Sequence, residues 1–206
     1  VNRVEQAGRA EEARARSHLY GLLARIVRSE VDAALLADLR RPEVSEALQS
    51  AGVDLGQVLG QGDDARLLDD LTTGYTYLYL LTLNPHESVQ RGEGQLWGNH
   101  TVAAREFMEE VGLSLDEDAR LLPDHMAVEL EVMQLLAAGE AEALEREDSD
   151  AVGQYEALQR RYLKEHLGAW GVEFFGAAER LANQDFYRQM ARLARDFLHS
   201  ETTSVR

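Results

Sequence analysis

Residues 121–136 read LLPDHMAVELEVMQLL. Met126, Val128, Leu130, Val132, Met133, Leu135 and Leu136 wrap most of the way round a helix, which predicts a central, buried element. Pro123 fits the first turn of that helix, where a missing N–H costs nothing. Asp124 then sits where the helix dipole favours negative charge, and His125 follows it. Glu129 lies one turn beyond His125 on the same face, and Glu131 also interrupts the apolar run. Two explanations of the Asp–His pair stand open. Asp124 caps the helix with His125 packed beside it, or the pair is a recognition or acid–base site.

Working outward toward the N-terminus, Leu113–Leu122 is a connector carrying Asp116, Glu117 and Asp118. Before it, Asn99 is placed to cap a helix through Val111, ended by Gly112. Asn84–Gly98, NPHESVQRGEGQLWG, is a long loop, and loops of that length in a compact protein are usually functional or disordered. Its apolar Leu96 and Trp97 predict that its end is pinned. Upstream, Asp63 or Asp64 caps a helix with Leu67, Leu68, Leu71, Tyr75, Leu78 and Tyr79 at helical spacing. TTGYTYLYLLTL is rich in β-formers, but the stripe continuing from Leu67 favours helix. The chain opens with a helix over 5–28, a short one around Leu35, Leu36 and Leu39, a third entered at Pro42, and a glycine-rich loop over 52–62.

Toward the C-terminus the central helix runs on through a polar, exposed AAGEAEALERED. A helix over 151–168 follows, Trp170 and Gly171 turn the chain, Phe174–Ala182 is apolar, and Asp185 caps the last helix. The expected architecture is all-α, eight to ten helices in one domain over 1–199, with 200–206 a frayed polar tail.

Composition narrows the function classes. The chain of 206 residues is 45% apolar with 3 prolines, an ordinary globular composition. With no cysteine, disulfides, thiolate metal sites and a cysteine nucleophile are excluded. No run of 18 apolar residues occurs and the N-terminus has no secretory pattern, so the expected location is the cytoplasm. A net charge of −16, from 37 acids and 21 bases, argues against nucleic acid and either welcomes a cationic protein segment or serves solubility.

Catalytic motifs are sparse. His125 and Glu129 form one helical pair, but there is no HExxH, no paired Glu-x-x-His, no G-x-S-x-G and no P-loop. Gly92 and Gly94 make only a weak phosphate-loop pattern. Asp124, His125 and Glu129 leave a metal- or nucleotide-dependent hydrolase as one alternative and a structural adaptor as another; a binding module is the default, with no resident metal or cofactor.

Four separated segments resemble one family. These are YTYLYLLTLNPHES (75–88), LWGNHTVAAREFMEEV (96–111), PDHMAVELEVM, and 166–198 with HLGAW and DFYRQMARLARDFL. Together they resemble the TorD/DmsD/NarJ-type chaperones of molybdenum oxidoreductases. The loop HESVQRGEGQLWG looks closest to chaperones of type II dimethyl-sulfoxide-reductase-like enzymes, the group acting on ethylbenzene, dimethyl sulfide, selenate or chlorate. Many relatives carry an acid ahead of the Asp–His pair, where this chain has Leu121, Leu122 and Pro123.

The resemblance implies an all-helical cytoplasmic chaperone that is not an enzyme. Its partners would be the apo catalytic subunit of a molybdoenzyme and that subunit's twin-arginine signal peptide, held until the molybdenum–pterin cofactor is inserted. The implied peptide-binding positions are Tyr75, Leu78, Tyr79, Ser88, Gly98, Asp124 and His125, and His86, Glu87, Trp97 and Glu129 join them as candidates on their own chemistry. Tyr75, Leu78, Tyr79 and Trp97 are expected to line an apolar groove, and Asp124 with Glu87 or Glu129 to meet an arginine. A homodimer by exchange of elements stays open.

Overall fold

The computed structural model describes residues 3–60, 62–115 and 120–204. Among them are ten α-helices, one π-helical segment and no strand. The helices are α1 (Arg3–Arg28), α2 (Ala33–Leu39), α3 (Pro42–Ser50), α4 (Asp64–Tyr75), α5 (Glu87–Gln90), α6 (Asn99–Glu110), α7 (Met126–Glu145), α8 (Ser149–Glu165), α9 (Leu167–Leu181) and α10 (Asp185–Ser204); the π-helical segment, Thr76–Thr82, follows α4 directly.

The all-α expectation holds, and the central helix is α7. It lies along α1 and also packs on α8 and α9, while α10 lies along α9. Met126, Ala127, Val128, Leu130, Val132 and Met133 are all buried, as their near-continuous apolar run requires. The α1–α7 seam is close because Gly21 leaves room for Gln134, and Ser17 Oγ donates to the Gln134 carbonyl oxygen at 3.0 Å.

Several sequence expectations are corrected. α7 begins at Met126, so Pro123 and Asp124 precede it in a turn closed by His125 N–H to Leu122 O at 3.0 Å. Proline suits the second position of such a turn as well as a helix start. The long loop 84–98 contains the single helical turn α5. Gly98, not Asn99, is the N-cap residue of α6, without a side-chain cap. The chain reverses at His166 (φ −124°, ψ −105°), and Trp170 and Gly171 sit inside α9. The far half of α7 is less exposed than its polarity suggests, with Glu140, Ala141, Ala143 and Leu144 buried.

The expected frayed tail is helical through Ser204; Val205 and Arg206 lie outside the described residues, as do Asp116, Glu117 and Asp118 of the acidic connector. The reason is an anchor in the last turn. Glu201 accepts from Arg16 Nη2 at 2.7 Å and from Tyr20 Oη at 2.8 Å, and Arg16 also reaches Gln159 at 2.6 Å and Glu140 at 3.2 Å. One arginine of α1 thereby ties α7, α8 and α10 together in a charge-assisted, largely shielded network.

Candidate functional site

The ambiguous aromatic segment is helical, but it changes pitch. After Tyr75 the backbone widens to π-helical spacing, with Leu83 N–H reaching Leu78 O at 2.8 Å. Leu78 and Tyr79 remain in the core while Leu80 and Leu81 are turned outward, 62% and 77% exposed. π-Helical turns recur at functional sites because the extra residue re-aims side chains.

Next to this turn lies a groove of about 680 Å³ lined by Tyr79 to His86, Leu96, Trp97, Arg120, Leu121, Leu122 and His125. Trp97 is 64% exposed and holds a left-handed φ of 64°, with Arg105 stacked 5.9 Å from its ring centre. A large residue in that conformation stores strain of order 1–3 kcal/mol, which marks a segment held for a purpose. Leu80, Leu81, Leu96 and Trp97 together form an exposed apolar surface at the groove.

His86 and His125 build the floor. His86 and His125 face each other across an isolated antiparallel bridge, flanked by Glu87 N–H to Asp124 O at 2.9 Å and Met126 N–H to Pro85 O at 2.8 Å. Their rings meet edge to face with centres 4.9 Å apart. His125 is the N-cap residue of α7, its Nδ1 accepting the Ala127 N–H at 3.1 Å. That bond requires an unprotonated Nδ1, and burial with His86 and Arg28 nearby pushes the His125 pKa down to about 3. Burial also lowers the His86 pKa. The cap reading of the pair is thus right in kind but assigned to the other residue.

Beneath the floor three acids are fully buried. Asp124 Oδ2 accepts the Ser88 N–H at 3.1 Å, while Oδ1 has no partner. Glu87 accepts from Arg91 Nη1 at 2.6 Å and lies 3.0 Å from His166 Nδ1. Glu129 Oε2 accepts from Trp170 Nε1 at 3.0 Å. Burial, Glu87 and Asp124 raise the Glu129 pKa well above the ordinary carboxylate value, which favours its protonated form. Ser88 Oγ and the Tyr162 hydroxyl are also buried without partners.

The structure therefore divides the expected site residues. Tyr79, His86, Trp97 and His125 share the groove. Gly98 lies beside it, where a β-carbon would run into the Glu93 carboxylate and come 3.3 Å from Ser88 Cβ. Glu87, Ser88, Asp124 and Glu129 lie below, wholly enclosed. Tyr75 and Leu78 are core residues, and the Tyr75 hydroxyl donates to Val27 O at 3.1 Å. Leu80, Leu81 and Leu96 were not singled out as site residues; two consecutive leucines off the Tyr75–Leu78–Tyr79 stripe were the available signal. Among the described residues no group of His, Cys, Asp or Glu side chains is placed to hold a metal ion.

Residues 41–176, from α3 into α9, match the family model described as the nitrate reductase delta subunit. The chain belongs to this family. It is the NarJ/TorD-type chaperone family that the four sequence segments resemble. The delta-subunit fold is shared with a redox enzyme maturation protein from Archaeoglobus fulgidus. That crystal structure aligns with a TM-score of 0.55 and 23% identity over 89% of this chain and 93% of that one. No curated protein matches in sequence. Among the described residues no helix is long and apolar enough to cross a membrane.

Proposed function

We propose that this delta-subunit-family protein is a cytoplasmic maturation chaperone that binds the apo catalytic subunit of a molybdenum oxidoreductase through its twin-arginine leader. The client class is the type II dimethyl-sulfoxide-reductase-like group, on the loop resemblance. The carrying observation is the groove beside the π-helical turn, with Leu80, Leu81, Leu96 and Trp97 held in water around it. A soluble protein keeps contiguous apolar surface of this kind for a partner. A twin-arginine leader has an apolar stretch to cover it and two arginines that an acidic protein attracts. Covering each leucine is worth roughly 1.5–3 kcal/mol, enough for reversible holding while the cofactor is inserted.

The test is a pull-down of the tagged protein from its native host, grown to induce respiratory enzymes. Recovery of a molybdoenzyme catalytic subunit with its leader uncut supports the reading. Recovery of only processed subunit, or of none, counts against it.

A further inference from the structure

Arg91 makes an unusual pair. Among the described ion pairs it alone sets a guanidinium against a carboxylate with no solvent exposure, Glu87, while its own side chain is 34% exposed. The arginine thus runs from the surface down to a buried acid. Its other recorded bond is to the Glu165 carbonyl oxygen at 2.9 Å, so a group with five N–H donors has few partners here.

The segment carrying it is weakly made. α5 is one turn, too short to persist by itself. It is held by the backbone bonds to Pro85 and Asp124 and by Gln90 Nε2 to Asn84 O at 2.6 Å. Beyond Arg91 the backbone passes through left-handed Gly92 and Gly94 to the strained Trp97. In and around α5 lie buried oxygens without recorded partners, Ser88 Oγ, Asp124 Oδ1 and Tyr162 Oη. An unpaired buried carboxylate oxygen is costly, so Asp124 Oδ1 favours an arrangement that brings it a donor.

Resting on the chaperone reading above, we propose that Arg91 is an internal stand-in for a client arginine, occupying a guanidinium seat on Glu87 that the client's side chain takes over. The exchange swaps one guanidinium for another, so Glu87 is never left buried and uncompensated, the costly state for such a group. A planar guanidinium fits the seat where a lysine ammonium, a compact point charge, fits it less well. Arg91 is then a specificity filter: a tethered competitor that only an arginine, delivered with the groove-filling apolar stretch, displaces.

The test has two arms. In the first, methylguanidinium is titrated into wild type, Arg91→Ala and Arg91→Ala/Glu87→Gln, with urea and methylammonium as controls, and thermal unfolding is followed. The expected result is a saturable rise in the melting temperature of Arg91→Ala only. In the second, the leader of the subunit captured by pull-down is titrated into wild type and Arg91→Ala, and affinity is expected to rise on the order of tenfold once the tethered competitor is gone. A leader with both arginines replaced by lysine is expected to gain less. Arg91→Gln repeats both arms should the alanine variant fold poorly. Absence of the methylguanidinium effect overturns the seat even if the leader binds. Equal leader affinity for wild type and variant overturns the takeover. Failure of the leader to bind any form strikes the chaperone reading, and the takeover with it, while the methylguanidinium arm still reports on the seat.

Discussion

Trp170 Nε1 donates to Glu129 Oε2 at 3.0 Å inside the protein, joining α9 to the first turn of α7. Burial beside Glu87 raises the Glu129 pKa and favours the protonated acid, which makes the bond one between neutral groups in that form. Glu129→Gln preserves shape and acceptor and should leave stability near wild type. Glu129→Ala strands the indole N–H and opens a cavity, at a cost of roughly 1–3 kcal/mol for the lost bond alone. The folded state also binds a proton that the unfolded state releases above the ordinary glutamate pKa. This contribution to stability is therefore full at low pH and lost as pH rises through the raised folded pKa. Urea melts across pH should show that slope in wild type and not in Glu129→Gln.

His125 titrates in the opposite sense. Its folded pKa of about 3 lies below the ordinary imidazole value of about 6.5, so acid favours the unfolded state. The contribution is fully present above pH about 6.5 and is lost as pH falls toward 3. Asparagine is a good N-cap residue, so His125→Asn should keep the α7 cap and flatten the pH dependence. His125→Ala should lose roughly 0.5–2 kcal/mol of stability at neutral pH. Denaturant midpoints at pH 7 and pH 5 separate the two variants.

Trp97 combines a strained backbone with an exposed ring. Trp97→Gly relieves the left-handed φ and removes the groove's largest apolar contact. Stability should hold or rise by about 1 kcal/mol, while leader affinity falls. A simple packing role would instead lower both, and paired unfolding and binding measurements distinguish the cases.

Gly168 lies in the first turn of α9, just past the junction with α8. A β-carbon there would lie 2.3 Å from the Leu163 carbonyl oxygen, a backbone atom that cannot step aside. Gly168→Ala should destabilise by about 1–3 kcal/mol, the usual cost of overpacking. Binding by the molecules that stay folded should be unchanged, since the groove lies elsewhere.

The helices were readable where one force dominates. The apolar run of α7 and the stripe from Leu67 to Tyr79 place their elements by burial alone, and of the two candidates Asp63 and Asp64 it is Asp63 that caps α4, accepting the Arg66 N–H, whereas the α2 cap, Asp32, drew no notice in the sequence. The site was less legible because its geometry depends on long-range partners. Nothing local tells that His125 rather than Asp124 takes the cap, since that follows from the bridge to His86. Nothing in YLYLLT signals a π turn, although the pair Leu80–Leu81 hints at a second exposed face. The polar tail looked frayed because its anchor, Arg16, stands 185 residues away from Glu201.

The central claim is that the groove beside the π-helical turn holds the client leader. Of the 2 tryptophans, only Trp97 is exposed, so emission reports on that surface. The leader of the captured catalytic subunit, titrated into wild type, should shift emission to the blue and saturate. Leu80→Ser/Leu81→Ser, a change confined to exposed side chains, should weaken binding at least tenfold, about 1.4 kcal/mol, without altering the melting temperature. Tight binding that neither moves Trp97 emission nor responds to the double substitution would contradict the claim.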